Sequence, residues 1–254
     1  MSAPIFYLVE GELDDVAVGD VVDVQGTEGH HARNVKRLQL TEKIDLSDGE
    51  GKRLRGEVVE LLDDGLRVKV RQIQSAHAGT EFIVVQALAK NDRDILGIET
   101  ATELGVSGVI PWFADRSIVR WKKERLPKHH AKWKNTVVAA AKQSRSALIP
   151  TVFDLHSSAD LAEVFEEDSA VGATVLILHE SAEQKLSELL KAQKSELTGS
   201  VYIVVGPEGG ISPREVELFT SVGAHTVLLG NEVLRSSTAG SSALVVLKTL
   251  LGQW

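Results

Sequence analysis

Two stretches near the C-terminus carry residue types at a spacing that builds a small-molecule pocket. One is Val204-Val205-Gly206-Pro207-Glu208-Gly209-Gly210-Ile211-Ser212, the other Leu228-Leu229-Gly230-Asn231-Glu232-Val233-Leu234-Arg235-Ser236-Ser237-Thr238-Ala239. Each begins with aliphatic residues, breaks at glycine and runs into a segment of helical character. A glycine at the end of a buried strand puts no Cβ between main chain and ligand. Two such turns, at Gly206 and Gly230, predict one pocket made largely of main-chain groups, the kind that holds a cofactor. Glu208 repels phosphate, so this pocket suits a ligand that is neutral or cationic near that carboxylate. The other reading of Gly206–Gly210, a tight strand-to-helix connection and nothing more, stays open here.

Several other chemistries lack their residues. The glycine loop has no Gly-Lys-Ser/Thr ending, so it is no P-loop, and no Gly-x-Gly-x-x-Gly occurs for a dinucleotide. There is no Gly-x-Ser-x-Gly elbow and no cysteine, hence no disulfide, thiolate nucleophile or thiolate metal site. His30-His31 and His129-His130 are adjacent pairs, and neighbours on a helix point in different directions. No metal site is expected.

The elements that must position the pocket fall into two groups, with a boundary between residues 75 and 76. Residues 1–75 read as a small β-rich domain, a compact barrel. Its strands are expected at Val21–Val24, Lys43–Leu46, Gly56–Leu62 and Leu66–Val70, with turns at Asp48-Gly49 and Asp63-Asp64-Gly65. A short basic helix is expected over His30–Leu38, and a linker over Gln74–Gly79. Residues 76–254 alternate strands and helices, which predicts an α/β domain with a mostly parallel sheet. Strands are expected at Phe82–Leu88, Val109-Ile110, Thr174–Leu178, Val201–Val205 and His225–Leu229. Helices are expected over Asp92–Leu104 with Gly105 as C-cap, Pro127–Arg145, Ser181 to about Lys194, and Thr238–Leu251. Ser212-Pro213-Arg214-Glu215 has the serine, proline and glutamate of a strong helix start. Ala243–Leu247 is apolar on every side, which predicts burial against the sheet or a second subunit.

Charge is unevenly spread. The net charge of −8 argues against a nucleic-acid ligand, yet residues 112–146 carry 10 Lys+Arg against 2 Asp+Glu, a local +8. Trp112, Trp121 and Trp133 lie in the same stretch. Basic residues among aromatics make a phosphate-backbone footprint; a solvated basic helix whose tryptophans are core is the competing reading. Met1-Ser2-Ala3-Pro4 has no basic flank, so no leader is expected. No apolar run reaches the roughly 18 residues that cross a bilayer. A cytoplasmic protein without membrane contact fits.

The two glycine loops together resemble those of the SPOUT methyltransferases, and more narrowly the family that methylates uridine N3 in 16S ribosomal RNA. Gln86-Ala87-Leu88-Ala89-Lys90-Asn91-Asp92-Arg93, Ala101–Val106, and Ala139–Arg145 before Ile149-Pro150 agree with it. So does His31-Ala32-Arg33-Asn34-Val35-Lys36-Arg37-Leu38, which resembles the His-x-x-x-Val-x-Arg segment of that family's N-terminal PUA-like domain. The resemblance implies a C-terminal α/β domain with a trefoil knot, a homodimer, and S-adenosylmethionine bound within the knot. Its implied ligands are Leu178, His179 and Glu180; Val205, Gly206, Glu208, Gly209 and Gly210; and Leu229, Gly230, Val233, Leu234, Ser237, Thr238 and Ala239. The substrate it implies is 16S ribosomal RNA or the small subunit.

Uracil N3 carries a proton and is a poor nucleophile until that proton leaves, so a cation beside the base assists. Arg145, Arg93 and Arg235 are candidates, with Glu208 either holding the cationic donor or bracing its loop. Arg33, Lys36 and Arg37, with Lys90, Arg93, Arg116, Arg120 and Lys142, are expected on RNA phosphates. The family's third loop commonly has proline, arginine and glutamate where Asn231, Glu232 and Ser237 stand, and a lysine where Thr100 stands. These changes alter the charge at the pocket rim. A SPOUT enzyme that makes a ribose 2′-O-methyl group, and a ribosome-binding protein without catalysis, are the two alternatives.

Overall fold

The computed structural model describes residues 3–9, 11–75, 79–193 and 199–254. The chain divides into two compact units, Met1–Ala78 with Ala141–Ile149, and Gly79–Ala140 with Pro150–Trp254.

In the first unit, β1 (Ile5–Tyr7), β2 (Val21–Val24), β3 (Lys43–Ser47), β4 (Lys52–Leu62) and β5 (Gly65–Ser75) form one sheet in the order β1-β3-β4-β5-β2. The β1–β3 pair is parallel and the others are antiparallel, and the hydrogen-bonded path ends at β1 and β2. The Asp-Gly turns fall where expected, between β3 and β4 and between β4 and β5. Alternation does the rest: Val22, Val24, Val68 and Val70 turn inward on Phe6, Leu46 and Leu54. Three-residue β1 has no periodicity to read and was not anticipated. Gln74 and Ser75, expected in a linker, are still strand, and Ala76-His77-Ala78 lie outside the described residues. The basic helix starts earlier than expected, with α1 (Gly26–His30) running into a π-helical turn over His31–Val35.

Ala141–Ile149 bonds to this sheet through its backbone. The Tyr7 phenol donates to the Ser146 carbonyl at 2.8 Å, Ser47 Oγ to the Ala147 carbonyl at 2.8 Å, and Ile149 N to the Gly49 carbonyl at 2.7 Å. Burial pushes the Tyr7 phenol up to about 12, so it stays a donor.

The second unit holds β6 (Phe82–Ala87), α2 (Arg93–Glu103), β7 (Gly108–Phe113), α3 (Leu126–Ser144, its last turn belonging to the first unit), β8 (Thr151–Val152), β9 (His156–Ser157), α4 (Ser158–Ala170), β10 (Thr174–Leu178), α5 (Leu186–Gln193), β11 (Val201–Val205), α6 (Pro213–Ser221), β12 (His225–Val227) and α7 (Ser236–Leu251). Its strands make a parallel sheet in the order β12-β10-β11-β6-β7-β8, with β9 also on β7. Central β6 and β11 are buried at every position, as continuous aliphatic runs in a two-sided sheet must be. Ile83, Val85, Tyr202 and Val204 meet Phe165 of α4 and Phe219 of α6 on one face. On the other, Val84 and Val205 meet α7 at Gly240, where a Cβ would stand 3.1 Å from Val205.

Some bounds differ from expectation for local reasons. The helix expected from Ser181 starts only at Leu186, because Ser181 N and Ala182 N bond back to His179 and hold residues 181–184 in a turn; Lys194 lies outside the described residues. Strand β12 stops at Val227 because Leu228 bonds to Gln184 and Leu186 instead. Helix α4 was missed although Ser157 and Asp160 form its capping box. Within the chain α7 is not buried all round: Ala243, Leu244 and Leu247 are buried, Val245 and Val246 half-buried. Two of the three tryptophans in the basic stretch, Trp112 and Trp133, are core, as the competing reading of that stretch has them.

Candidate active site

Adjacent strands β12, β10 and β11 release their chains at the same sheet edge, and the three following loops enclose a cavity of about 880 Å³. A crevice at the carboxyl ends of parallel strands is where open α/β sheets place ligands. Of the residues expected to hold a cofactor, Leu178, His179, Glu180, Val205, Gly206, Glu208, Gly209, Gly210, Leu229, Gly230, Val233, Leu234 and Ala239 line it. Ser237 and Thr238 do not. On α7 the lining positions are Ser236 and Ala239, three apart on one face, and the two residues between them are rotated away. Sequence reasoning missed Ser236, and also Val216, Glu217 and Thr220, the face of α6 that forms one wall. Their i, i+1, i+4 spacing carried no signal without knowing where α6 points.

The glycine loop is tight because its neighbours are close. A Cβ on Gly206 would stand 2.7 Å from Ile211 Cγ1, and one on Gly209 3.1 Å from Arg116 Cβ. Gly210 takes φ +72° and donates to the Pro207 carbonyl, closing the turn. Ser212 then caps α6 with the expected box: its Oγ accepts from Glu215 N, and the Glu215 carboxylate accepts from Ser212 N at 3.0 Å.

Glu208 braces the loop. Its Oε1 accepts from Lys90 N at 3.0 Å and lies 3.8 Å from Arg93 Nη1. The loop it reaches contains two consecutive left-handed residues, Asn91 (φ 55°) and Asp92 (φ 54°), a strained pair held by its surroundings. Asp94, buried in the first turn of α2, accepts from the backbone N–H of Ala89 and Ile95; burial pushes its carboxyl up and those two donors oppose the shift.

Of the cations, Arg93, Arg116 and Arg235 line the cavity. Arg116 Nη1 donates to the Gly209 carbonyl at 3.0 Å, and the Arg120 guanidinium lies 3.9 Å over the Phe113 ring. Lys90, exposed, is also in the second unit, and the first unit holds the others. Arg33, Lys36 and Arg37 sit on and just after the π-helical turn. Lys142 Nζ is paired with both oxygens of Glu28, at 2.6 and 2.7 Å. Arg145 (φ 58°) follows α3, its carbonyl accepting from Arg53 Nη2, and it is not among the cavity-lining residues.

Helix α7 begins at the cavity without a side-chain cap. Arg235 is its N-cap, no acidic residue stands in its first turn, and Ser236 Oγ is buried with no hydrogen-bond partner. Among the described residues no group of three His, Asp or Glu has a metal-binding arrangement, and no helix is long and apolar enough to cross a membrane.

The model of an RNA methyltransferase domain family matches residues 77–248. The chain is 40% identical over 255 residues to ribosomal RNA small subunit methyltransferase E of Mycobacterium bovis, covering 100% of this chain and 94% of that protein. To the protein of the same name from Bacillus subtilis it is 29% identical over 244 residues, covering 94% and 93%. Among solved structures it is similar to ribosomal RNA small subunit methyltransferase E from Neisseria gonorrhoeae bound to S-adenosyl methionine. That match has a TM-score of 0.82 and 26% identity, and covers 98% of both chains.

Proposed function

The chain belongs to the ribosomal RNA small subunit methyltransferase E family of SPOUT enzymes, and from that premise we propose that it uses S-adenosylmethionine to methylate uridine N3 in 16S ribosomal RNA. The observation that carries this is the cavity at the ends of β12, β10 and β11, walled by main chain at two glycine turns. Its residues fit the cofactor. Leu178, Val205, Ile211 and Leu229 give an adenosine apolar walls, and Glu180, Glu208 and Glu232 give a cation an acidic rim. Side chains on Gly206 or Gly209 would crowd that cradle. When bound, S-adenosylmethionine supplies an electrophilic methyl group on a sulfonium cation.

The chain's own residues do the rest. Glu208 fixes the glycine loop against Lys90 and Arg93. Arg93 and Arg235 face the cavity, where a cation stabilises negative charge on an imide that has lost its proton; Arg145, outside the cavity lining, is not given this task. Arg116 and Arg120 in the second unit, and Arg33, Lys36 and Arg37 in the first, grip phosphates while the target base turns out of its stack.

Residues 1–75 serve in this reading as a PUA-like RNA-binding domain and 76–254 as the catalytic domain. A trefoil knot is supported by Leu228, which bonds to both Gln184 and Leu186 while Val227 accepts from His179, so this strand runs beside the 179–186 segment. A homodimer is supported by Val245 and Val246, apolar and only half-covered on α7. The work is cytoplasmic, beside the small subunit.

The test begins with calorimetric titration of S-adenosylhomocysteine, expected to saturate near one site per subunit. Small subunits methylated by the protein are then digested to nucleosides, with 3-methyluridine expected. An alkali-resistant ribose-methylated product moves the reading to 2′-O transfer; no cofactor binding moves it to a non-catalytic RNA-binding protein.

A further inference from the structure

Three arginines meet one carboxylate on the outer face of the first unit's sheet. Ile44, Leu46 and Leu54 point into the core, so alternation turns Asp45, Ser47, Arg53 and Arg55 to the other face. Pairing sets Asp45 opposite Arg55 and Ser47 opposite Arg53. The Ala141–Ile149 segment, part of the same unit, bonds to Ser47 and Arg53 and brings Arg145 to this face. Burial pushes the Asp45 carboxyl up, and the charges of Arg53, Arg55 and then Arg145 pull it down. Arg53 Nε stands 3.9 Å from Asp45 Oδ2. Glu28, whose charge like that of Arg53 reaches Tyr7, is taken up by Lys142.

Arg145 stands where the backbone favours glycine. Its N–H donates to the Lys142 carbonyl at 3.3 Å, and that of Ser146 to the Ala141 carbonyl at 2.9 Å. These two bonds close a helix through one left-handed residue, usually glycine. Here it is Arg145, at φ 58°, where a Cβ is strained. A strained arginine in the place of an unstrained glycine points to a task for its side chain. Among the described residues that side chain makes no hydrogen bond or close ion pair, and although half-buried none of its nitrogens is sealed from solvent. Arg55 is exposed and equally unpaired.

Resting on the reading above, we propose that Arg55 and Arg145 clamp a backbone phosphate of the substrate RNA, with Arg53 as the residue that positions Arg145. A guanidinium offers parallel N–H donors that match two phosphate oxygens, and it stays charged at every working pH. Arg53 Nη2 donates to the Arg145 carbonyl and so holds the backbone from which that clamp projects. Asp45 offsets one of the three charges, and a phosphodiester offsets a second. No bond is made or broken here: the site anchors the RNA, and its signature is counterion release.

The experiment measures binding of 16S ribosomal RNA from about 0.05 to 0.3 M salt, with S-adenosylhomocysteine affinity and thermal melting beside it. It compares wild type, Arg145→Gly, Arg145→Lys, Arg55→Ala and the double variant Arg55→Ala/Arg145→Gly. Glycine suits the left-handed backbone, so Arg145→Gly is expected to melt within about 3 °C of wild type. Its RNA affinity is expected to fall about tenfold, the loss of a charged hydrogen-bond donor. The double variant is expected to flatten the slope of log affinity against log salt by about 0.7 to 0.9, one phosphate's worth. Arg145→Lys keeps the charge without the fork, so it is expected to keep the slope and lose only about threefold in affinity. Cofactor affinity is expected to stay within about twofold throughout, since neither arginine lines the cavity. An unchanged slope in the double variant overturns the proposal. So does a loss of RNA affinity in Arg145→Gly that comes with a large fall in melting temperature, which makes Arg145 a fastening of its own segment. A wild type that binds S-adenosylhomocysteine but no ribosomal RNA overturns the underlying reading, and this inference with it.

Discussion

Glu215 Oε1 accepts a 2.7 Å hydrogen bond from the backbone N–H of Asp115, a residue 100 positions earlier. The same oxygen accepts from Ser158 Oγ at 2.7 Å, and Trp112 Nε1 donates to that serine at 3.1 Å. Glu215 is fully buried, and these contacts tie the end of β7 and the start of α4 to the start of α6. Arg116 follows Asp115 directly and donates to Gly209. A capping glutamate thus fixes where a cavity arginine stands.

Glu215→Ala is therefore expected to act at two levels. It leaves Asp115 N, Ser158 Oγ and Ser212 N without their acceptor, a loss of roughly 3 kcal/mol or more. Urea unfolding reads this directly, and Glu215→Gln, which keeps one acceptor oxygen, is expected to lose less. In the folded fraction of Glu215→Gln, RNA affinity and S-adenosylhomocysteine affinity are both expected to fall, because Arg116 and the glycine loop it bonds at Gly209 share this anchor. Equal stability of Glu215→Ala and wild type would remove this network from the account.

Asp115 gives a pH prediction of definite sign. The Arg214 guanidinium, bonded to both its oxygens at 2.7 and 3.0 Å, and then the Ser212 hydroxyl hold its carboxyl below the usual range. A carboxylate depressed on folding adds stability that is complete above its unfolded pKa, about 3.9, and lost as pH falls through the lower folded value. Wild type is thus expected to melt above Arg214→Ala at pH 6, and the two to converge as pH falls through the lowered folded value. The pair is solvent-exposed, so the gap is small, at most about 2 °C. Thermal melts across that range check it; a gap that widens in acid contradicts the sign.

Gly209→Val is expected to abolish S-adenosylhomocysteine binding while sedimentation still reports the wild-type oligomer. A Cβ already meets Arg116 Cβ at 3.1 Å, and two further methyl groups have to enter the cavity or displace the loop. Calorimetry showing undiminished affinity would move the cofactor away from this loop.

Much of this site was legible because its signals are local. The glycine turns, the Ser212–Glu215 box and the aliphatic runs of β6, β10 and β11 depend on neighbours in sequence, and the structure keeps them. What failed depended on distant partners. Ser236 and Ser237 are indistinguishable as letters, and only the rotation of α7 puts one in the cavity and the other behind it. The Ala141–Ile149 segment reads as the end of a helix, yet its carbonyls are bonded by Tyr7 and Ser47, more than ninety residues upstream. No composition or period announces that kind of pairing.

Lys142 and the Arg33-Lys36-Arg37 group were read alike, as phosphate contacts, and the structure separates their tests. Lys142 Nζ lies 2.6 Å from one Glu28 oxygen and 2.7 Å from the other, and both side chains are about three-quarters covered. Removing it strands a partly buried carboxylate beside His31, whose own pKa is lowered first by burial and then by the Lys142 charge. Lys142→Ala is therefore expected to cost about 1–2 kcal/mol of stability in urea unfolding, within the range for a broken, partly screened ion pair. It is expected to leave the salt dependence of RNA binding unchanged, since that ammonium releases no counterion when RNA arrives. Lys36 and Arg37 are exposed and Arg33 half-buried, on and just after one π-helical turn. Their triple alanine variant is expected to melt like wild type. Its slope of log affinity against log salt should flatten by up to about 2, at roughly 0.7 per single-strand phosphate contact. If Lys142→Ala flattened the slope and the triple variant did not, the two assignments would have to be exchanged.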